Sequence, residues 1–164
     1  MLYTRKGDCG RSSLIGESDI SKDNIIFEIL GTVDELSAFL AMAKLVCADD
    51  VAAQLEKIQR QLIDVGTAFA GGREFDFSKA VEEFEEKIDF YERQNVCPDG
   101  LILYGKNEPG ARCDAARAVC RRAERLVVKH SSCADCPKNA VAYFNRLSDY
   151  LFITARFLEK GREL

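Results

Sequence analysis

The sequence lacks the features that would mark a disordered, linker-divided or membrane-spanning chain. Only three of its 164 residues are proline, and no low-complexity tract interrupts it, whereas disordered chains are rich in such residues. No apolar run approaches the roughly 20 residues that a membrane-spanning helix needs, and the first ten residues contain no apolar signal-peptide core. We therefore expect a single cytoplasmic domain over residues 1–164 that binds no membrane.

A strong positive charge is also missing. The formal net charge is −4, and an acidic chain is a poor partner for nucleic acid or for an anionic membrane surface. We therefore expect no nucleic-acid partner. A local basic pocket for an anionic small molecule is still compatible with this overall charge.

Histidine is scarce, and cysteine occurs in an odd number. The chain has one histidine and seven cysteines, and at this length it does not need disulfides for stability, so we expect mostly reduced thiols. His130, Cys133 and Cys136 have the spacing of metal ligands, although a structural zinc site needs four. Reduced loop cysteines are the favoured interpretation, with a local disulfide and a metal site as alternatives. His130 itself is interpreted as a helix-end residue rather than a catalyst.

Helical periodicity is what the sequence has in abundance. Apolar residues recur at three- and four-residue steps, as Ile26, Leu30 and Val33 do in the first segment, and this spacing places them on one face of a helix. Five such segments are predicted, at residues 23–47, 51–70, 78–94, 110–129 and 137–160.

The segments between these helices have little regular pattern. Residues 1–21 are rich in glycine and polar residues and are predicted to form an ordered loop or a short hairpin, while strand patterns are confined to residues 2–4 and 101–104. The predicted fold class is therefore all-α, a five-helix antiparallel bundle with an ordered N-terminal loop. The connection at residues 96–109 is long for a bundle, and long loops are often functional.

Three arginines form a row along the fourth predicted helix. Arg117, Arg121 and Arg125 are spaced at i, i+4 and i+8, where like charges repel weakly. Such a row calls for anionic partners, either phosphate groups or carboxylates on another helix. The alternative is a solvated face with Glu124 as a local counterion, and spacing alone does not decide between the two.

Polar residues also interrupt the apolar pattern of the fifth helix. Asn145, Asp149 and Arg156 alternate with leucines and a phenylalanine, and buried polar groups need hydrogen-bond partners or a ligand. From the residues alone, hydrogen bonds between helices are the favoured explanation.

The N-terminal segment has the composition of an anion-binding loop. Residues 4–13 combine two glycines, three basic residues and three hydroxyls, and glycines allow backbone N–H groups to approach a phosphate closely. The segment is not a Walker A sequence. A plain surface loop is the alternative.

Four segments together resemble one protein family, in order and at similar spacing: YTRKGDCGRSSL, GTVDELSAFLA, ARAVCRRAER and NRLSDYLFITAR. The family is the ATP:cob(I)alamin adenosyltransferases of the PduO type. The resemblance implies a homotrimer that binds ATP between subunits and transfers its 5′-deoxyadenosyl group to corrinoid Co(I), giving adenosylcobalamin and triphosphate. It also implies a corrinoid reductase and an adenosylcobalamin-dependent enzyme as partners. The alternatives are a protein of this fold that binds ATP or adenosylcobalamin without efficient turnover, and a thiol- or metal-regulated bundle around His130.

The resemblance also implies roles for individual residues. Arg121 would hold the triphosphate, Glu124 would help to place Mg²⁺, and Asn145 would touch the nucleotide. Asp34 and Arg117 match a pair that bridges two subunits and shapes the active site. The remaining nucleotide-binding residues would come from the N-terminal region, with two lysines supplying positive charge: Thr4, Lys6, Gly7, Asp8, Gly10, Ser12 and Lys22.

One segment departs from the family pattern. The family has a Phe-x-x-Pro-Gly-Gly run before the fourth helix, and its phenylalanine closes off the lower face of the corrin ring. This chain reads LILYGK at residues 101–106. Leu101 would therefore face the corrinoid with an apolar side chain of less bulk than phenylalanine.

Overall fold

In the part of the chain that the structure describes, the fold has five helices and one short hairpin. The structure, a computed structural model, describes Tyr3 and residues 5–94, 100–132 and 136–160. Within these residues the elements follow one another as β1 (Arg11–Leu14), β2 (Glu17–Ser21), α1 (Ile25–Lys44), α2 (Asp49–Phe69), α3 (Phe77–Glu92), α4 (Glu108–His130) and α5 (Ala140–Lys160). The predicted all-α class and five-helix bundle are confirmed.

The helix boundaries follow from local capping. The Asn107 side chain accepts a hydrogen bond of 2.9 Å from the Gly110 backbone N–H, and Pro109 lies in the first turn, so α4 begins two residues before the predicted start at 110. The largest differences are three residues: α1 ends at Lys44 rather than at 47, and α5 begins at Ala140 rather than at 137. Asn139, just before it, has a positive φ of 64°, which a helix cannot include.

The strand prediction was wrong at residues 101–104. No strand forms there, because Leu101 and Leu103 are exposed to solvent and face no partner strand among the described residues. The predicted run at residues 2–4 lies outside the described residues except for Tyr3. Antiparallel strands form instead between β1 and β2, as the hairpin prediction allowed, and Gly16 makes the tight turn with a φ of 80°.

The apolar stripes pack the helices into one core. α1 lies between α2 and α4, and α5 lies between α4 and α3. The side chains of Lys57 and Gln61 on α2 reach Glu83 on α3. Of the predicted stripe on α1, Val33 is buried, and Ile26 and Leu30 are half-buried against the core. Ile29 and the leucines that follow Val33 on α1 are buried as well. No helix in the described ranges has the combination of length and apolarity that crossing a membrane requires.

The bundle has two distinct ends. At the hairpin end, the Ile15 N–H donates to the carbonyl of Ala70 after α2 at 3.0 Å, and the Phe69 ring lies 6.2 Å from that of His130, the last residue of α4. At the loop end, the Asn107 side chain donates to the Leu158 carbonyl on α5 at 2.8 Å. α4 therefore runs from the loop end to the hairpin end.

A buried ion network joins α4 to α5 near the loop end. Arg156 pairs with Asp114 at 2.5 Å, and their side chains are 3% and 5% exposed. Arg156 Nε also lies 2.9 Å from Glu159 Oε2, and Arg117 Nε donates to Asp114 Oδ1 at 3.4 Å. Two arginines and two carboxylates thus balance each other in a nearly dry site, which is the condition for tolerating buried charge.

Removal of Asp114 should destabilise the fold strongly. Asp114→Ala leaves the buried Arg156 guanidinium without its main partner, and we expect the free energy of unfolding to fall by about 3 to 5 kcal/mol. Urea unfolding followed by circular dichroism measures this loss. The matched control is Asp64→Ala, which breaks an exposed ion pair between α2 and Arg73 in the following loop and should change the free energy of unfolding by less than about 1 kcal/mol. Equal losses in the two variants would contradict a structural role for the buried network.

Candidate active site

The three arginines predicted to form a row on α4 differ in the contacts they make. The side chain of Arg117 is 16% exposed and stacks on Tyr104, with 4.9 Å from its guanidinium carbon to the ring centroid. Arg121 and Arg125 are exposed, and neither forms an ion pair or hydrogen bond with any residue in the described ranges. Successive members are one helical turn, about 6 Å, apart. The arginine row (Arg117, Arg121 and Arg125) therefore offers two unpaired guanidinium groups to an anion.

Glu124 does not neutralise this row. Its Oε1 accepts a hydrogen bond of 3.0 Å from the Asn145 side-chain amide on α5, and it forms no ion pair with the arginines as far as the structure is described. The structure thus brings two predicted site residues together across α4 and α5. Asp149, one turn further along α5, is instead paired with Arg146 at the surface at 2.8 Å.

A cleft opens beside the contact between Glu124 and Asn145. It has a volume of about 560 Å³ and lies toward the hairpin end, between the last turn of α4 and the start of α5. Its lining includes Ser131, Lys138 and Asn139 as well as the two contact residues. Hydroxyl, amide and ammonium groups around one cavity are suited to a polar ligand.

The described residues contain no ready-made metal cage. No group of three or more histidine, cysteine, aspartate or glutamate side chains in this part of the chain is arranged to hold a metal ion. A magnesium ion that arrives on a triphosphate needs only one or two protein carboxylates. Because only Oε1 of Glu124 is held by Asn145, its carboxylate fits that requirement.

The N-terminal loop folds around Lys22. The Lys22 ammonium donates to the Gly7 carbonyl at 2.9 Å, and the Lys22 N–H donates to the Gly10 carbonyl at the same distance. Gly10 has a positive φ of 75° that favours glycine. Lys6 and Asp8 project into solvent.

The structure says less about two other residues of the predicted nucleotide-binding loop, Ser12 and Thr4. Ser12 lies on β1 opposite Ile20, and Thr4 lies outside the described residues. Among the residues described, no hydrogen bond or ion pair links this loop to α4 or α5. The predicted nucleotide-binding residues therefore form two separate groups in one chain.

Asp34 and Arg117 do not meet within one chain either. Asp34 is exposed on α1, where it lines a shallow groove with Ser37 and Ile63. Arg117 is held instead by Asp114 and Tyr104. The pair predicted from the resemblance is therefore not an intrachain contact.

Leu101 projects from the loop end with its side chain fully exposed. The chain that follows it is attached to the helices by Tyr104, which stacks on Arg117, and by the Lys106 N–H, which donates to Glu159 Oε1 at 3.3 Å.

Sequence reasoning missed Tyr104, Asp114 and Glu159. The spacing of three residues from Asp114 to Arg117 and from Arg156 to Glu159 is the signal that could have found the carboxylates.

Two buried cysteines near the site, Cys113 and Cys120, have raised thiol pKa values. Burial raises the pKa of Cys120, whose thiol donates to the Phe144 carbonyl at 3.3 Å. A hydrogen bond with the Cys47 thiol, followed by burial, raises the pKa of Cys113. Since the thiolate is the reactive form, neither Cys113 nor Cys120 is a nucleophile at neutral pH.

The second cysteine-containing motif is only partly described. His130 is buried as the last residue of α4, as predicted for a helix-end residue. Cys136 is half-buried, and Cys133 lies outside the described residues. A metal site or disulfide at this motif stays a prediction.

Comparison with known proteins identifies the family. The family model described as "Cobalamin adenosyltransferase" matches residues 2–158. The chain is 38% identical over 169 residues to the corrinoid adenosyltransferase MMAB of Bos taurus, covering 95% of this chain and 70% of the relative. It is 35% identical over 164 residues to the corrinoid adenosyltransferase of Bacillus subtilis, covering 94% of this chain and 84% of the relative.

Solved structures agree with the sequence relatives. A phenylalanine-to-alanine variant of the PduO-type ATP:corrinoid adenosyltransferase from Lactobacillus reuteri, complexed with cobalamin and ATP, matches with a TM-score of 0.91 and 29% identity, covering 98% of this chain and 94% of that one. An arginine-to-lysine variant of the Lactobacillus reuteri enzyme, complexed with ATP, matches with a TM-score of 0.89 at 29% identity, covering 98% and 94% of the two chains. With the family model matching nearly the whole sequence, the chain belongs to the cobalamin adenosyltransferase family.

Proposed function

We propose that the arginine row of α4 is where this enzyme holds the triphosphate of ATP during adenosyl transfer. The chain is a corrinoid adenosyltransferase, which transfers the 5′-deoxyadenosyl group of ATP to Co(I) and gives adenosylcobalamin and triphosphate. One observation carries the site assignment. Arg121 is exposed and unpaired in the described structure, one turn from the Arg117 contact with the corrinoid-facing loop and three residues before Glu124.

The reaction needs positioning and charge stabilisation more than proton transfer. Co(I) supplies an electron pair to the ribose C5′, a cobalt–carbon bond forms, and the bond from C5′ to the triphosphate oxygen breaks. Because negative charge builds up on the departing triphosphate, a bidentate guanidinium at Arg121 stabilises the transition state. Holding both substrates in line removes much of the entropic barrier.

We assign the polar cleft to a second part of the nucleotide site in the same chain. Asn145 would touch the nucleotide, and Glu124 would contact the Mg²⁺ that accompanies the triphosphate. When bound, Mg²⁺ offsets phosphate charge that the arginines alone leave uncompensated. The hydrogen bond between Asn145 and Glu124 keeps that carboxylate oriented toward the cleft.

The remaining contacts come from a second copy of the chain in this proposal. The N-terminal residues Thr4, Lys6, Gly7, Asp8, Gly10, Ser12 and Lys22 would wrap ATP bound mainly to a neighbouring subunit, in a homotrimer with intersubunit active sites. Two observations support this arrangement: the loop makes no described polar contact with α4 or α5, and Asp34 and Arg117 do not meet in one chain. Each copy would act as one domain over residues 1–164, since all five helices contribute to one core. The cytoplasmic location, the corrinoid reductase and the adenosylcobalamin-dependent enzyme stay predictions.

An anaerobic assay with an Arg121 variant tests the function and the site together. The protein is incubated with ATP, Mg²⁺ and chemically reduced cobalamin, and visible spectroscopy follows the formation of light-sensitive adenosylcobalamin. The wild type should form it. Arg121→Ala should lower kcat/KM for ATP by at least about 30-fold, which corresponds to about 2 kcal/mol for the loss of a charge-assisted contact.

The matched control is Arg122→Ala. Arg122 is also exposed on α4, but it pairs with Glu35 on α1, so activity should stay near the wild-type value. Helicity should be unchanged in both variants. Wild-type activity in Arg121→Ala would refute the assignment of the arginine row to phosphate binding.

Neutralising Asp34 should impair both assembly and activity. In the proposed trimer, Asp34→Asn leaves the partly buried guanidinium of Arg117 without its partner from the other subunit. Light scattering coupled to gel filtration should show a weakened trimer, with activity falling in parallel. Glu35→Gln changes the adjacent carboxylate, whose partner Arg122 is in the same chain, and should affect neither. The single variant Asp34→Arg should lose both trimer stability and activity. The double variant Asp34→Arg with Arg117→Asp should recover part of both. A fully active monomer would contradict an intersubunit site.

Leu101→Phe should help turnover only when the reductant is weak. A larger apolar side chain covers more of the lower corrin face, which favours loss of the axial ligand and eases reduction of Co(II). Because Leu101 is fully exposed, a ring at this position meets no obstacle among the residues that the structure describes. The rate with a weak reductant should rise, and the rate with preformed Co(I) should change little. The rates are measured by the formation of adenosylcobalamin.

The position control is Leu103→Phe, also at an exposed site, which should give no comparable gain. A wild type that is no faster with preformed Co(I) than with Co(II) and a weak reductant would contradict this role for Leu101. Tight ATP binding without turnover from either form would favour the alternative of a nucleotide- or cofactor-binding protein.

A further inference from the structure

We propose that Tyr104 is a positioning residue that fixes the corrinoid-facing loop by stacking on the guanidinium groups of Arg117 and Arg156. The inference rests on the proposed function, because it concerns the loop that carries Leu101. It goes beyond that function in assigning a role to a side chain that does not itself face the substrate.

The contact geometry singles out the Tyr104 ring. The guanidinium carbons of Arg117 and Arg156 lie 4.9 Å and 5.5 Å from its centroid. Both are within the distance at which a ring face attracts a cation. One loop side chain therefore touches two arginines that belong to two different helices.

A second ring completes the arrangement. Phe152 on α5 lies 6.0 Å from the guanidinium carbon of Arg117 and 5.1 Å from that of Arg156. Both arginines also share Asp114 as a hydrogen-bond partner. The two like charges are therefore held by the carboxylate and by two electron-rich ring faces. The Tyr104 ring therefore packs against side chains whose positions are fixed by buried contacts.

The position of Tyr104 in the loop explains why the packing of its ring affects the placement of Leu101. Leu101 and Leu103 are exposed. On the other side, the Lys106 N–H and the Asn107 side chain bond to the C-terminal turn of α5. Gly105, between the two attachments, has a φ of 90° and gives the chain freedom to turn. Among the contacts described for residues 100–107, that of the Tyr104 ring is the nearest in sequence to Leu101, and in this proposal it determines where Leu101 is held.

The network beneath the ring connects the two substrates. Arg117 lies under Tyr104 and one helical turn from Arg121, which we assign to the triphosphate. A displaced loop would alter corrinoid contacts first, whereas Arg121 has no contact with Tyr104 in the described structure. The loss of the ring should therefore weaken corrinoid binding selectively.

The test compares three variants, each of which is checked to be as stably folded as the wild type. Tyr104→Leu removes the ring but keeps an apolar side chain, and Tyr104→Phe keeps the ring without the hydroxyl. Phe90→Leu is the matched control, because Phe90 is 57% exposed on α3, as Tyr104 is 55% exposed in the loop. Melting temperatures measured by circular dichroism identify any general loss of structure.

The expected result is a split between the two substrates. Tyr104→Leu should raise KM for the corrinoid by about tenfold and leave KM for ATP within about twofold, as expected for the loss of a cation–π anchor. Tyr104→Phe and Phe90→Leu should stay near wild-type values for both. Calorimetric titration of cobalamin into ATP-saturated protein should show the same tenfold weakening for Tyr104→Leu alone.

Several outcomes would overturn the proposal. An unchanged corrinoid KM in Tyr104→Leu, a parallel rise in both KM values, or an equal defect in Tyr104→Phe would each do so. Failure of the proposed function looks different: the wild type would then make no adenosylcobalamin, while the calorimetric comparison would still decide the role of Tyr104. A wild type that binds no cobalamin would overturn both.

Discussion

The buried ion pair between Asp114 and Arg156 determines how the rest of the site is arranged. Both side chains are almost fully buried, so neither helix can slide or rotate without leaving a charge unpaired in a dry environment. The pair therefore fixes the register of α4 against α5. That register sets Glu124 opposite Asn145 and turns Arg117 toward the Tyr104 ring. Arg121 then faces solvent between these two contacts.

α4 is a rigid helix with a different chemical environment near each of its two ends. At its start lies an exposed apolar loop, which suits the face of a corrin ring, and toward its end lies a polar cleft, which suits a nucleotide. From Arg117 to Arg125 the helix rises about 12 Å. A nucleophilic cobalt and a triphosphate must be held on opposite sides of the ribose C5′ for an in-line displacement. A helix that carries Arg121, which we propose to bind phosphate, between the two environments would provide that separation without a moving part.

Sequence reasoning recovered the features that depend on local spacing. The five helices, the buried faces such as that of Ile29 and Val33, and the arginine row all follow from three- and four-residue steps. Contacts between distant segments gave no such signal. The hydrogen bond from Asn145 to Glu124 depends on how α4 and α5 are aligned. The contact of Tyr104 with Arg117 depends on the course of a loop whose sequence has no periodic pattern. The strand pattern at residues 101–104 misled because a short apolar run can also lie in an exposed loop.

The unpaired state of Arg121 is itself consistent with a site completed by its substrates and by another subunit. An exposed guanidinium costs the free protein little, since water solvates it, and an ion pair formed there in water would contribute little to stability. Once a nucleotide and a neighbouring chain exclude water, the same charge interacts with phosphate in a medium of much lower dielectric constant. The attraction then acts mainly on the assembled complex, where charge develops on the departing triphosphate. In the trimer that we propose, the arginine row would gain most of its strength at the stage of the reaction that needs it.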